Sequence, residues 1–342
     1  MTWFLAAAGD AGEPWWIAVI KSLIVINLVL FGFAYLTLVE RKVMGRMQLR
    51  YGPNRAGPYG LLQPIADLVK LIRKESFFPA AAIDSLFILA PFLAAFTALT
   101  TFSVIPWGPG WEIAGYQVNG YIADLPIALL LIFAVGSIGI YGFIVGGWAS
   151  DSKFSLLGSM RTCAQLVSYE VSLALSVLGV ILMAGSLSLV DIVAAQEAEL
   201  WYVLPQIVGF AVFILAGTAE TSRAPFDLPE AEQELVAGYH TEYSSMSFAM
   251  FFLAEYINMV TVAAVATDLF LGGWHGPFLP ESMGWIWFLV KVGAILFFYV
   301  WMRWTLPRYR YDQLMAFGWK ILLPIAVVNL IVTAAGVLYF GL

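Results

Sequence analysis

The sequence predicts an all-α integral membrane protein with eight transmembrane helices and an amphipathic helix on the membrane surface. Three observations predict this class: 61% of the residues are hydrophobic and only 12% are charged, the mean hydropathy is +0.85, and uncharged runs of membrane length recur along the chain. Only segments whose backbone groups bond internally can cross hydrocarbon, and a helix of about twenty apolar residues spans it. The composition therefore excludes a water-soluble fold.

Eight apolar stretches have the length of a membrane span. They lie at roughly 15–39, 83–105, 121–148, 162–185, 200–220, 246–271, 284–304 and 320–341. No Lys or Arg precedes the first stretch, so we expect a retained span there and not a cleaved secretory signal. An even number of spans puts both termini on the same side of the membrane.

Basic residues are concentrated in alternate connections between the spans. Fifteen of the seventeen Lys and Arg residues lie in the connections at about 40–82, 149–161, 221–245 and 303–320. Cytoplasmic loops of membrane proteins carry this excess of positive charge. We therefore predict that these four loops face the cytoplasm, that both termini face outward, and that residues 1–342 form a single polytopic membrane domain.

The first of these loops has two parts. Glycines and prolines from Gly52 to Gly60 break any helix, whereas from Ile65 onward apolar residues recur at helical spacing with charged residues between them. The second part is predicted to be an amphipathic helix along the membrane surface. Its basic groups would either meet lipid headgroups or, in a sharper interpretation, border a lateral entrance for an amphipathic ligand.

The third loop carries a dense acidic segment that ends at Glu234. Asp227 is a candidate cap for a helix that begins near Glu230, which would share one helix face with Glu234, while Glu232 would point elsewhere. Like charges on one face disfavour joint ionisation, so this segment could hold a proton near neutral pH. The alternative is a solvated helix start, where the helix dipole favours acids.

Glu170 and Glu255 are carboxylates inside predicted spans. Glu170 lies roughly 13 Å beyond Arg161 along the fourth span, at 1.5 Å per residue, and Glu255 lies within the sixth. An unpaired charge there is costly, so each carboxylate is expected to be protonated, partnered or beside a hydrated cavity. Together with Glu220 at the end of the fifth span, they predict a proton path; a structural ion pair is the alternative for each.

The sequence itself carries no signature of a bound metal or redox cofactor. Cys163 is the only cysteine, and His240 and His275 are predicted on opposite sides of the membrane, which does not suit a membrane haem. Glycine-rich nucleotide motifs are also absent. Any redox chemistry must therefore be supplied by a partner.

Four blocks of sequence occur in order between residues 40 and 315. They are Glu40-Arg41-Lys42 with Gln48-Leu49-Arg50 and Gly52 through Lys70; Gly147-Trp148-Ala149-Ser150 with Ser168-Tyr169-Glu170-Val171; Ala219-Glu220-Thr221 with Arg223, Pro225 through Glu234 and Glu242-Tyr243; and Pro307-Arg308 with Arg310 through Met315. In these blocks the chain closely resembles the H-subunit family of proton-translocating NADH-quinone oxidoreductase, respiratory complex I. The resemblance covers nearly the whole chain.

This resemblance implies a membrane subunit at the junction of the redox arm and the proton-pumping arm. Members of the family help to form a tunnel through which quinone travels from lipid to an iron–sulfur cluster of a neighbouring subunit. By matching positions, the polar tunnel and loop residues would be Glu40, Arg41, Arg50, Asp67, Lys70, Arg223 and Asp227. The acidic path between quinone chemistry and the pump modules would be formed by Glu170, Glu220, Glu230, Glu232, Glu234 and Glu255.

The same resemblance implies the cofactors and partners. The substrate would be a quinone, expected to be ubiquinone, while partner subunits would hold FMN and the iron–sulfur clusters. The expected partners are the other subunits of complex I and membrane lipids, and no nucleic acid. The expected location is a bacterial plasma membrane, with the mitochondrial inner membrane as the alternative.

Two other functions fit part of the pattern. A standalone proton-coupled transporter would explain the buried carboxylates but not the large charged loops. A membrane subunit of a hydrogenase-type complex would share many of the motifs. Under the favoured hypothesis, quinone reduction changes the charge in the tunnel, shifts the first and third cytoplasmic loops, and alters carboxylate protonation along the membrane path.

Overall fold

A computed structural model describes residues 13–113, 115–198, 200–228 and 236–340, and over these ranges the chain is mostly helical. Within them, seven helices are long and apolar enough to cross a membrane, and an eighth apolar helix, Ile207–Glu220, is shorter. The prediction of an all-α multi-pass membrane protein is confirmed. The short helix corresponds to the predicted fifth span.

The helices are α1 (Trp15–Met47), α2 (Gln63–Arg73), α3 (Asp84–Thr101), α4 (Ala128–Ala149), α5 (Lys153–Ala184), α6 (Leu189–Ala198), α7 (Ile207–Glu220), α8 (Ser245–Phe270), α9 (Gly284–Thr305), α10 (Tyr311–Phe317) and α11 (Leu323–Phe340). Short 3₁₀ turns lie at Pro58–Gly60, Phe102–Val104, Gly238–His240 and Glu281–Met283. A π-helical segment, Gly318–Leu322, joins α10 to α11. One antiparallel hairpin pairs β1 (Gly108–Ile113) with β2 (Tyr116–Gly120).

Several helices extend beyond the apolar stretches that predicted them. α5 begins at Lys153 and not near 162, because a polar helical turn can continue past the hydrocarbon, where hydropathy no longer marks it. It ends at Gly185, which has φ 68°, and the Gly185 amide donates to the Ile181 carbonyl at 2.8 Å. Glycine adopts this left-handed conformation without steric cost and so ends the helix.

The amphipathic helix predicted in the first loop is α2. Pro64 lies in its first turn, where the missing N–H is not needed. Its apolar face is about half exposed, from 47% at Val69 to 59% at Ile72. Before α2, Gly60 has φ 77°, and a side chain there would lie 2.3 Å from the Pro53 carbonyl oxygen, so this turn requires glycine.

Helix α8 lies at the centre of the bundle. The two buried apolar clusters both include residues of α8, and it packs against α1, α3, α7 and α9. In the most apolar part of α8, 56% of the residues are buried inside the protein. The corresponding share is 17% for α1 and 11% for the segment containing α11. Polar residues on α8 are therefore held inside protein, while α1 and α11 expose apolar faces suited to lipid or partner subunits.

The connections gather at two ends of the bundle. We call one the basic end, formed by residues 48–62, α2 and residues 150–152, 221–228 and 306–310; the Tyr309 amide donates there to the Pro225 carbonyl at 3.2 Å. The opposite, acidic end consists of β1, β2, α6 and residues 271–283, and the Trp111 indole donates there to the Ser282 carbonyl at 2.8 Å. Neither the hairpin nor α6 was predicted, because both lie in short connections that hydropathy does not mark.

Candidate functional site

Five side chains form a buried charge cluster near the basic end. The charge cluster consists of Glu40 on α1, Arg223 after α7, Glu255 and Tyr256 on α8, and Arg303 on α9. Glu40, Arg223, Glu255 and Tyr256 are each at most 8% exposed. Four separate parts of the chain thus bring two carboxylates and two guanidiniums together inside the protein.

Glu40 contacts three other members of the charge cluster. One carboxylate oxygen accepts a 2.6 Å hydrogen bond from the Tyr256 hydroxyl, and the other forms an ion pair with Arg303. Arg223 Nη1 lies 3.9 Å from the same oxygen as Arg303. Charge-assisted contacts of this kind are the strong ones, and together they fix the position of the carboxylate.

Arg223 connects Glu40 to Glu255. Its Nε lies 3.1 Å from Glu255 Oε1, and its guanidinium lies 4.0 Å from the centroid of the Tyr256 ring. A buried charge is tolerated when it is paired, and a guanidinium also stacks favourably on an aromatic face. The structure therefore joins a residue predicted for the tunnel with one predicted for the acidic path.

Two further ion pairs fix the loops at the basic end. Arg41 Nη1 lies 2.7 Å from Asp67 Oδ2, and Gln63 donates to Asp67 Oδ1 at 2.9 Å, so that α2 is attached to α1. Arg308 Nη2 lies 2.8 Å from Asp227 Oδ2. The Arg41 pair is partly exposed and contributes little to stability, whereas Asp227 is nearly buried.

Two of the predicted tunnel residues belong neither to the charge cluster nor to these two ion pairs. Arg50 is exposed and donates to the side chain of Gln48 at 2.8 Å, and Lys70 is exposed on α2. Neither lies in the charge cluster. Both lie on the surface of the basic end.

Two of the acids predicted for the proton path, Glu220 and Glu255, lie beside internal space. Glu220 lines a cavity of about 70 Å³ together with Asn258 and Thr261 on α8. A second cavity of about 20 Å³ is lined by Glu220, Glu255 and Asn258. A water molecule needs about 10–15 Å³ of such space and polar partners, so both cavities can hold water.

Glu170 lies apart from the charge cluster but near Glu220. It accepts a hydrogen bond from the Ser137 hydroxyl on α4, and its carboxyl group acts electrostatically on Glu220. Glu170 is therefore partnered by protein, as its predicted depth requires. The remaining predicted acids, Glu230, Glu232 and Glu234, lie outside the described residues, as does the helix start expected near Glu230.

Sequence reasoning missed several residues of this site. In the sequence Arg303 is only one more basic residue at the end of a span, and neither Tyr256 nor Asn258 belongs to a motif. Glu255 is paired with Arg223, which reaches it from the loop after α7. The available signal for Asn258 was its position three residues after Glu255 on α8, since residues three apart are neighbours on a helix surface. Tyr256, one residue after Glu255, had no such signal.

The described residues do not form a metal centre. Over the described ranges, no three His, Cys, Asp or Glu side chains converge as metal ligands would. What the arrangement offers is a set of paired charges next to small polar cavities. Such a set can move protons and respond to a change of charge nearby.

Comparison with known proteins identifies the family. The family model described as NADH dehydrogenase matches residues 20–334. The chain is 51% identical to the H subunit numbered 2 of NADH-quinone oxidoreductase in Syntrophobacter fumaroxidans, over 95% of this chain and 97% of that protein. It is 52% identical to the H subunit numbered 1 of Geobacter metallireducens, over 92% and 94%, and 52% identical to the one numbered 2 of Koribacter versatilis, over 93% and 96%.

These matches extend from α1 into α11 and include every described residue of the charge cluster and its cavities. At this identity and coverage, the chain belongs to the H-subunit family of NADH-quinone oxidoreductase, the membrane subunits of respiratory complex I.

Proposed function

We propose that this protein forms part of the quinone-access tunnel at its basic end and couples quinone reduction to proton translocation through an acidic path. One observation carries the proposal. Arg223 contacts Glu40, which belongs to the tunnel set, and Glu255, which belongs to the path set, within a buried cluster. A change of charge near Glu40 therefore alters the electrostatic interaction of this guanidinium with Glu255.

The coupling step is electrostatic. A quinone head group that takes up two electrons and two protons near Glu40 changes the local charge while its protons are being delivered. Two unit charges about 4 Å apart interact by about 4 kcal/mol at an effective dielectric constant near 20, which is enough to shift a carboxylate between protonation states. Arg223 would then strengthen its contact with one carboxylate and weaken its contact with the other.

The proton path continues from Glu255 to Glu220 and Glu170. Glu255 and Glu220 line the same small cavity, where Asn258 can orient a bridging water. Glu220 and Glu170 repel each other when both are ionised, so a charge arriving on one acid disfavours a charge on the other. The acids Glu230, Glu232 and Glu234 are proposed to feed this path from the third cytoplasmic loop.

The basic end is proposed to face the cytoplasm. The excess of Lys and Arg in its loops supports this orientation, which puts both termini on the outer side of a bacterial plasma membrane. The half-exposed apolar face of α2 would lie against lipid and border the entrance for the quinone tail. Arg41, Arg50, Asp67, Lys70 and Asp227 would form the polar rim of this entrance.

The partners are proposed to be the other subunits of the complex. The redox arm, with its FMN and iron–sulfur clusters, would dock on the basic end, and the chain itself would act as one polytopic membrane domain. The chain matches 97% of the length of an H subunit of such a complex, which argues against a standalone transporter. If deletion of this subunit abolishes NADH-to-quinone activity, the subunit belongs to the quinone enzyme and not to a hydrogenase-type complex.

The test uses the intact complex in membrane vesicles. Glu220→Gln and Glu170→Gln remove a titratable proton with little change of shape, and each is expected to lower proton pumping driven by NADH at least fivefold. NADH oxidation by a water-soluble acceptor, which needs only the redox arm, should stay normal. Asp191→Asn, at an exposed position of α6, is the matched control and should pump normally. Full pumping by both Gln variants would overturn the proposal.

A further inference from the structure

Asp268 is a buried acid that the proposed path does not use. It lies on α8 near the acidic end, with 0% of its surface exposed. Within the described part of the chain, neither of its carboxylate oxygens accepts a hydrogen bond. An ionised carboxylate without donors is costly in such a place, so the resting side chain is expected to carry a proton.

The nearest cation is Lys291 on α9, but its hydrogen bonds go elsewhere. The ammonium donates to the carbonyls of Leu271, Gly273 and His275, and it lies 4.3 Å from the centroid of the Trp201 ring. These three bonds use all three donors of the ammonium group. Lys291 therefore fixes the loop after α8 while its charge acts on Asp268 without a direct ion pair.

This loop connects Asp268 to the surface of the acidic end. His275 is 17% exposed, and its Nε2 lies 3.2 Å from Oε2 of Glu197, whose side chain is 49% exposed. Burial lowers the pKa of His275, Lys291 acts in the same direction, and Glu197 and Glu281 oppose them. The imidazole is therefore neutral near pH 7 and able to accept a proton.

The same helix connects Asp268 to the interior. Asn258, Thr261 and Val265 line the cavity that contains Glu220. At about 100° per residue these three positions and Asp268 fall within one stripe about 80° wide along α8. Asp268 is the next residue of the stripe beyond Val265, on the side of the acidic end.

We propose that Asp268, Lys291, His275 and Glu197 form a proton outlet at the acidic end of this subunit. The O–H bond of Asp268 breaks, the carboxylate is stabilised by the Lys291 charge, and the proton passes by way of water to the neutral His275 ring and then to Glu197 and the bulk. Reprotonation of Asp268 comes from the Glu220 cavity. Only this resupply rests on the proposed acidic path.

The variant Asp268→Asn distinguishes an outlet from a structural acid. Asparagine has nearly the shape of a protonated aspartic acid but cannot release a proton. If Asp268 only fills space in its neutral form, Asp268→Asn in the intact complex pumps normally. If it is an outlet, the variant assembles, oxidises NADH normally with a water-soluble acceptor, and loses at least fivefold in pumping, whereas Asp268→Glu regains part of it.

Comparison with Glu220→Gln keeps the two proposals apart. Normal proton pumping by Glu220→Gln would contradict the proposed acidic path. Reduced pumping by Glu220→Gln together with normal pumping by Asp268→Asn would contradict only the proposed outlet. If Asp268→Asn does not assemble, the double variant Glu197→Gln with His275→Gln decides, because it changes the accessible part of the route. Normal pumping by that double variant overturns the outlet, and a loss of at least twofold supports it.

Discussion

Arg223 is the residue on which the charge cluster depends. It is 3% exposed and lies between Glu40 and Glu255, with the Tyr256 ring beneath its guanidinium. Removing one partner of a buried pair is far more costly than removing both, because it leaves an uncompensated charge inside the protein. Each charge at the junction of α1, α8 and α9 therefore depends on its partners, and the proposed coupling depends on the same pairs.

Arg223→Met is expected to destabilise the subunit by about 3–5 kcal/mol, because the Glu255 and Glu40 charges lose this partner. Adding Glu255→Gln should recover part of the loss, since one of the two carboxylates is then neutral. The temperature at which half of the assembled complex is inactivated measures both effects, and the double-mutant cycle gives the coupling energy.

Arg310→Met is the control for this prediction. Arg310 also pairs with a carboxylate, Asp312 at 3.3 Å, but both side chains are largely exposed. Such pairs contribute about 0–1 kcal/mol, so this change should leave the inactivation temperature almost unaltered. A similar small effect for Arg223→Met would mean that the buried pairs do not hold the junction together.

At the scale of elements, α5 holds the two segments that carry the site. Gln165, which is fully buried on α5, donates from Nε2 to the Ala219 carbonyl at the end of α7 and to the Phe226 carbonyl in the following loop, both at 2.7 Å. Ala219 precedes Glu220, and Phe226 precedes Asp227. One amide thus fixes the position of the loop relative to the acid that lines the cavities.

Gln165→Leu should release the loop at 221–228 from its fixed position relative to Glu220 and the cavities that Glu220 lines. The change keeps the apolar volume but removes one hydrogen bond from each carbonyl. Each carbonyl still accepts from a backbone amide, Ser222 at 3.2 Å for Ala219 and Leu228 at 3.1 Å for Phe226, so the cost is about 0.5–1.5 kcal/mol for each lost bond. We expect slower quinone reduction and fewer protons pumped per NADH, both measured in membrane vesicles.

The matched control is Gln206→Leu. Gln206 is 2% exposed and donates to Thr333 at 2.6 Å, but it lies at the start of α7, towards the acidic end. This variant should lose stability while keeping its coupling ratio. Equal loss of coupling in the two variants would show that general loosening of the bundle, and not the Gln165 link, is responsible.

At the scale of the whole molecule, the charge distribution predicts which way the bundle lies in the membrane. Leu49 at the basic end is 98% exposed and Phe278 at the acidic end is 97% exposed, so each is a suitable position for a reporter cysteine. The natural Cys163 is the only cysteine and can be replaced by Ser beforehand. The two positions test the proposed orientation directly.

A membrane-impermeant maleimide is expected to label Phe278→Cys from the outside of spheroplasts and to leave Leu49→Cys unmodified. Fifteen of the seventeen basic residues lie in the four segments that hydropathy assigns to one side of the membrane, and positive charge resists transfer across it, which is the physical reason for the expected side. Labelling in detergent verifies that both cysteines react when accessible. Labelling of Leu49→Cys in intact spheroplasts would reverse the orientation.

Much of the fold could be predicted because its causes are local. The helical period from Ile65 predicted α2, and the apolar runs predicted the membrane helices, with the fifth shorter than expected. The hairpin was missed because its strands, Gly108–Ile113 and Tyr116–Gly120, are short and rich in glycine. The start of α5 was missed because a helix can leave the hydrocarbon without any change in its backbone.

The site could be predicted only as separate residues. The motif around Glu40 and the acids at Glu220 and Glu255 could be recognised individually, but nothing local shows that Arg303, 263 residues away, reaches Glu40. Asp268 lies within a predicted span and carries no motif, and its lack of hydrogen-bond donors is visible only once α8 and α9 are packed.

The sequence by itself determined the membrane class, the helical elements and the family, because hydrocarbon penalises polar backbone and charge wherever they occur along the chain. Only the tertiary structure decided which charges meet. Pairing depends on distances of a few ångströms between helices that are far apart in sequence, and the free energy of a buried carboxylate depends on the donor or cation that reaches it.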